Sequence, residues 1–145
     1  MQEDESFPLW TLVQAAHVVA RGFTEVFAEV GLTPTQFGVL AHLVDDEGLS
    51  QAELARRVLV RPQSLGELVG VLVDRGLVRR AGPGGRGRRS DLVITDAGRA
   101  LYEAALPGVV AFHRPGAIGL SPEQLATLED LLQTLLRALQ RPGTG

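Results

Sequence analysis

The chain has 145 residues, no cysteine, no lysine and a formal net charge of −3. That length holds one domain, or one domain with helical extensions, and the missing cysteines exclude disulfides and thiol chemistry. At 45% hydrophobic residues the chain can bury a core, yet no apolar run reaches the roughly 18 residues of a membrane span. The opening MQEDES is acidic and polar, unlike a secretory signal, and reads as a disordered tail; with no cysteine this suits a cytoplasmic protein. A long helix is predicted from about Pro8 to Val30. Leu9, Val13, Ala16, Ala20, Phe23, Phe27 and Val30 step by four and three, a seam for packing on other helices. Thr33 and Gln36 then form a capping box, with Pro34 at the first helical position. Phe37, Leu40, Ala41 and Val44 are the expected buried stripe of this second helix. Asp45, Asp46, Glu47 and Gly48 end it, and lacking the ligand spacing of a calcium loop they read as a solvated acidic turn.

From Leu49 to Thr95 the pattern is two short helices and then two short strands around a Gly/Arg-rich loop. Ser50 and Glu53 have capping-box spacing, and Leu54, Ala55 and Val58 share one face. The second short helix starts at Pro62. Leu65, Leu68, Val69 and Leu72 form its buried stripe, leaving Arg61, Gln63, Ser64 and Glu67 open near its start. Gly76 is available for a left-handed cap after Asp74 and Arg75. Strands are predicted at roughly Leu77–Ala81 and Asp91–Ile94. The loop between them, AGPGGRGRRS, has four glycines and three arginines, and it suits a minor groove or a phosphate backbone rather than a core.

The charge distribution sharpens this. Residues 56–89 hold nine arginines against Glu67 and Asp74, which is +7, so the remainder of the chain carries −10. A cationic footprint on an acidic body is the signature of a nucleic-acid binder; the plainer alternative is a solvated arginine-rich surface. In a helix-turn-helix, the first residues of the second helix touch base edges.

Past the second strand, Thr95 caps a helix that begins at Asp96 and runs through Arg99, Leu101 and Tyr102. Pro107-Gly108 is expected to kink or weaken it, and Arg114-Pro115-Gly116 to end it. Ser121 and Gln124 form another capping box. Leu125, Leu128, Leu132, Leu135 and Leu139 again step by three and four, too short for a free coiled coil, so the first helix of the same or a second subunit is the expected partner. The segment 141–145 reads as a disordered tail.

The segments LTPTQFGVLAHL (32–43), LSQAELARRV (49–58), RPQSLGELVGVLVDRGLVRR (61–80) and RSDLVITDAGRALYEAA (89–105) resemble the MarR-type winged-helix transcription factors in order and spacing, over nearly the whole chain. The resemblance implies a mainly α protein: a winged helix-turn-helix with a two-stranded β-hairpin wing and N- and C-terminal dimerisation helices. It divides the chain into residues 1–30 for dimerisation, 31–98 for DNA binding and 99–145 for dimerisation. It implies an obligate homodimer on a pseudo-palindromic operator in double-stranded DNA, a repressor relieved by a small aromatic inducer, and no cofactor or metal.

On this reading Arg61, Pro62, Gln63, Ser64 and Glu67 face the bases. Ser50, Gln51, Arg56 and Arg57 hold phosphates, and Arg86, Arg88 and Arg89 enter the minor groove. Trp10, His17, Phe37 and His42 are candidates to line a ligand pocket, against the plainer alternative that they are core. Leu9, Val13, Ala16, Leu128, Leu132 and Leu135 are expected in the dimer interface. Three features depart from the family pattern. The turn reads Val58-Leu59-Val60 rather than carrying glycine. Arg86 stands where the wing has aspartate, two residues before the groove-reading position filled by Arg88. Glu67 stands where the family often has a basic residue; a carboxylate accepts from a cytosine amino group and repels phosphate.

No enzyme pattern emerges. His17, His42 and His113 are far apart, and no nucleophile elbow, zinc-protease, P-loop or dinucleotide fingerprint occurs. A protein-protein interaction module on a winged-helix frame is the alternative, and it would expose apolar residues where this wing has arginines.

Overall fold

The structure, a computed structural model, describes residues 6–46, 48–58, 60–82 and 91–140. The chain folds as two compact units, Met1–Val109 and Val110–Gly145. Among the described residues no helix is long and apolar enough to cross a membrane.

The first unit begins with α1 (Pro8–Ala28) and α2 (Pro34–Asp45). Gly31, at φ +74, closes α1: its N–H bonds to Ala28 O, and Leu32 N–H reaches Phe27 O at 2.9 Å, the paired bonds of a Schellman cap. The expected capping box opens α2, with Gln36 N–H on Thr33 Oγ1 at 3.1 Å and Thr33 N–H on Gln36 Oε1 at 3.0 Å. The buried residues of α2 are Val39, Leu40 and Leu43. The predicted stripe contained Leu40 but not the other two; Phe37, Ala41 and Val44 are only partly buried. The difference has a simple cause: α2 packs against α1, α3 and β3, so more than one face is covered and no single stripe describes it.

Next come β1 (Leu49–Ser50), α3 (Gln51–Val58), α4 (Pro62–Asp74), β2 (Val78–Ala81), β3 (Asp91–Ile94) and α5 (Asp96–Phe112). The helix-turn-helix lies where the sequence places it. Glu53 N–H bonds to Ser50 Oγ at 3.2 Å, and α4 starts at Pro62 and buries Leu65, Val69 and Leu72. It ends in a second Schellman cap, with Gly76 at φ +74 and Leu77 N–H on Leu72 O at 2.9 Å. The two expected strands, β2 and β3, pair antiparallel, and β1 adds a third strand to give the order β1-β3-β2. Leu49 pairs with Leu92, and Val78 with Ile94. A two-residue strand is too short to show alternation, so β1 left no signal.

Thr95 joins three elements. Its hydroxyl donates to Gly76 O at 2.6 Å and accepts from Gly98 N–H at 3.0 Å, while its own N–H reaches Leu77 O at 3.1 Å. An aromatic stack crosses the unit: Phe23 on Phe27 (5.6 Å between centroids), Phe27 on Phe37 (4.3 Å) and Phe37 on Tyr102 (5.4 Å). It ties α1, α2 and α5 together. Helix α5 runs through Pro107 and stops at Phe112, just before the expected Arg114-Pro115-Gly116 end; a proline removes one donor and crowds one carbonyl, which a 17-residue helix absorbs.

The second unit holds α6 (Pro115–Ile118), a short turn absent from the sequence reading, and α7 (Pro122–Leu139). Both bonds of the predicted capping box are present, Gln124 N–H on Ser121 Oγ at 3.1 Å and Ser121 N–H on Gln124 Oε1 at 3.0 Å. No residue of α7 is buried, although nine of its residues are leucine or alanine on an amphipathic pattern.

Candidate nucleic-acid interface

Helix α4 presents two contrasting sides. Leu65, Val69 and Leu72 are fully buried, which fixes the rotation of the helix about its axis. The same rotation leaves Arg61, Pro62, Gln63, Ser64 and Glu67 exposed at its N-terminal end. Arg61 is the N-cap residue but makes no side-chain cap bond, so its guanidinium is not engaged in ending the helix. Val71, one turn past Glu67, is 45% exposed; the sequence reading gave it no role.

The residues expected on phosphates fare differently from one another. Arg56 is exposed. Arg57 is exposed too, but its Nη2 lies 3.2 Å from Asp46 Oδ2, both side chains being nearly half open to solvent. A pair so exposed is worth about 0–1 kcal/mol, so it holds Arg57 loosely. Ser50 is buried at 7% exposure, and its hydroxyl oxygen serves the cap of α3; its place in the fold is structural, unlike the surface contact the sequence suggested. Gln51 is half-buried. Its Oε1 accepts from Arg80 Nη1 at 3.2 Å, and its Nε2 lies 3.3 Å from where a Cβ on Gly66 would stand. One amide thus meets both the recognition helix and the base of the wing.

Among the nine arginines of 56–89, Arg75 turns to the start of α2, where Nη1 lies 3.3 Å from Gln36 Oε1. Arg79 and Arg80 are exposed on β2, an edge strand of the sheet. Successive strand residues point to opposite faces. Arg80 therefore shares a face with buried Val78, and this alternation is the sequence signal that distinguishes it from Arg79. Arg86, Arg88 and Arg89 lie outside the described residues.

The proposed ligand set is spread over two helices. Trp10 (64% exposed) and His17 are on the solvent side of α1. Phe37 is engaged in the aromatic stack, and His42 is half-buried five residues later on α2, about 140° around the helix from Phe37. Of the proposed interface residues, Leu9 and Val13 are more than half exposed, Ala16 is exposed, and Leu128 is 38% exposed. Leu132 and Leu135 are half-buried within their own unit.

Four similarities to known proteins bear on this geometry. A family model described as MarR family matches residues 30–89. The HTH-type transcriptional repressor Rv2887 of Mycobacterium tuberculosis is 33% identical over 96 residues, which make up 66% of this chain and 69% of that protein. The structure of Rv2887 in complex with salicylic acid is similar at TM-score 0.72 and 30% identity, over 91% of this chain and 98% of that one. A mutant of E. coli MarR complexed with operator DNA is similar at TM-score 0.76 and 26% identity, over 90% of this chain and 94% of that one.

Proposed function

The chain belongs to the MarR family of winged-helix transcriptional regulators, and from that premise we propose that it represses by binding a pseudo-palindromic operator as a homodimer. The observation that carries this reading is the exposed start of α4, with Arg61, Gln63 and Ser64 held outward by a fully buried Leu65–Val69–Leu72 stripe. Polar residues at that end of a recognition helix meet base edges in the major groove. Arg61 is matched to guanine, whose O6 and N7 accept its fork, and Gln63 to adenine. Arg56 and Arg57 hold the backbone alongside, and Arg86, Arg88 and Arg89 serve the flanking minor groove.

Two such helices reach successive major grooves only if the chain is paired, with centres about 34–36 Å apart or a multiple of it. The exposed apolar residues Leu9, Trp10 and Val13 of α1, and Leu128, Leu131, Leu136 and Leu139 of α7, are what a paired chain covers. On this scheme 1–30 and 99–145 serve pairing and 31–98 serves DNA. A small aromatic acid is the proposed inducer, because salicylic acid is bound in the Rv2887 structure; Trp10, His17, Phe37 and His42 are its candidate contacts, and it acts by changing the separation of the two recognition helices.

The experiment is fluorescence anisotropy with the intergenic DNA upstream of the chain's own gene against a scrambled duplex, over a salt series. Tighter binding to the native fragment, at one dimer per site, is expected. Equal, weak and steeply salt-dependent binding to both would leave the arginines with non-specific contact alone. An aromatic acid such as salicylate is expected to weaken the native complex and leave the scrambled one unchanged.

A further inference from the structure

The sequence placed Gln51 among the phosphate contacts and assigned nothing to Arg80. The geometry reverses these parts. Gln51 is half-buried, and both ends of its amide are placed: the oxygen accepts from Arg80 Nη1 at 3.2 Å, and the nitrogen faces the open side of Gly66. A methyl on Gly66 would stand 3.3 Å from that nitrogen, tight enough that the amide would have to shift. The missing side chain at 66 therefore leaves the amide a few tenths of an ångström of room beside the recognition helix. Gly66 is one turn after Gln63 and on the same face, so the amide sits at the flank of the base-reading residues.

Arg80 is exposed, and it emerges at the end of β2, the edge strand that leads into the wing. Its bond to Gln51 is to a neutral acceptor. Such a bond orients a guanidinium without cancelling its charge, unlike the carboxylate of Asp46 that meets Arg57. Arg presents five donors in a planar fork, so one bond to the amide leaves the others for a phosphate.

We propose that Arg80 is a further DNA-backbone contact, set between the recognition helix and the wing, and that Gln51 is its positioning residue. The inference rests on the reading of the chain as a DNA-binding regulator. It makes the side chain of Gln51 act through Arg80 rather than on DNA itself, and it links the wing strand to α4 so that both meet the duplex in one register.

The test is a salt series on the full chain with a native upstream duplex and a scrambled one, comparing wild type, Arg80→Ala, Arg79→Ala, Gln51→Ala and the Gln51→Ala/Arg80→Ala pair. Arg79→Ala removes the same charge from the opposite face of β2 and serves as the control for the general field. Arg80→Ala is expected to lower affinity by the same factor on both duplexes and to flatten the slope of log K against log salt by about 0.9 per protomer. Arg79→Ala is expected to leave that slope nearly at its wild-type value. Gln51→Ala is expected to lower affinity and flatten the slope when Arg80 is present and to change neither when it is absent. Thermal melts accompany each variant, since a purely structural role would lower the melting point and leave the slope alone. A wild-type slope in Arg80→Ala, or equal flattening by both arginine variants, would overturn the contact. Additive losses in the double variant would overturn the positioning role of Gln51. Wild type that binds neither duplex at low salt would overturn the DNA-binding reading itself, and the contact with it, and that result is distinguishable from all the others.

Discussion

Gly98 shows how much one missing methyl group decides. It lies in the first turn of α5, and a Cβ there would collide with the backbone carbonyl of Leu77 and stand 2.9 Å from Ile94 Cγ1. Alanine would gain about 1 kcal/mol of helix propensity, but the carbonyl it meets already accepts from Thr95 N–H and cannot yield freely. Gly98→Ala is expected to lose about 1–3 kcal/mol net, read as a lower urea midpoint; a stability equal to wild type would mean that the strand-helix junction relaxes. The carboxylate of Asp46 has the opposite character. Its pair with Arg57 is exposed, so Asp46→Asn is expected to change stability by less than about 1 kcal/mol while tightening DNA binding at low salt, because Arg57 loses its competitor for phosphate. No gain in affinity at low salt would remove Arg57 from the backbone contacts. Glu67 is exposed among the base-reading residues, where a carboxylate selects rather than attracts. Glu67→Ala is expected to change which operator is preferred in a binding-site selection more than it changes affinity for scrambled DNA; uniform change on every sequence would argue against base reading.

Among the elements, those that carry their own punctuation were legible. Proline at the first position and glycine at the end marked α4, and the Thr33 and Ser121 boxes marked α2 and α7, because a cap is a local hydrogen-bond requirement that neighbours do not alter. The elements set by tertiary contact were not. Strand β1 exists only through its pairing with β3, and α2 buries Val39 and Leu43 because several elements press on it. Side-chain roles followed the same division: the exposed start of α4 could be read from periodicity, whereas the burial of Ser50 and the turn of Gln51 toward Arg80 depend on a sheet and a glycine distant in sequence. The junction at Thr95 tests the value of such a convergence. Its hydroxyl both donates to the end of α4 and caps α5. Thr95→Val keeps the shape and removes both bonds, so a loss of about 1–2 kcal/mol is expected, with the denaturant slope unchanged. A loss of only a few tenths would mean that water replaces the hydroxyl there.

For the molecule as a whole, the question is what completes it. The seam predicted along α1 divides in two: Phe27 is buried with Phe23 and Val30 packed on the core, while Leu9 and Val13 are more than half exposed. Helix α7 buries none of its residues, and most helical stability in proteins comes from tertiary packing of the apolar face rather than from propensity. Apolar surface left open on both helices is what a protein partner covers. A charge placed there costs the single chain little, because the site is already wet, but it costs a paired chain a buried, unpartnered carboxylate. Val13→Glu and Leu131→Glu, at 56% and 60% exposure, are therefore expected to convert a sedimenting dimer into a monomer whose helical circular dichroism persists at low temperature. Operator binding should then fall far more than scrambled-DNA binding, because specific recognition needs two linked half-sites, the second bound at the high effective concentration that pairing supplies. Variants that remain dimeric with full operator affinity would place the pairing surface elsewhere. Variants that become monomeric yet keep full operator affinity would instead show that one recognition helix and one wing suffice.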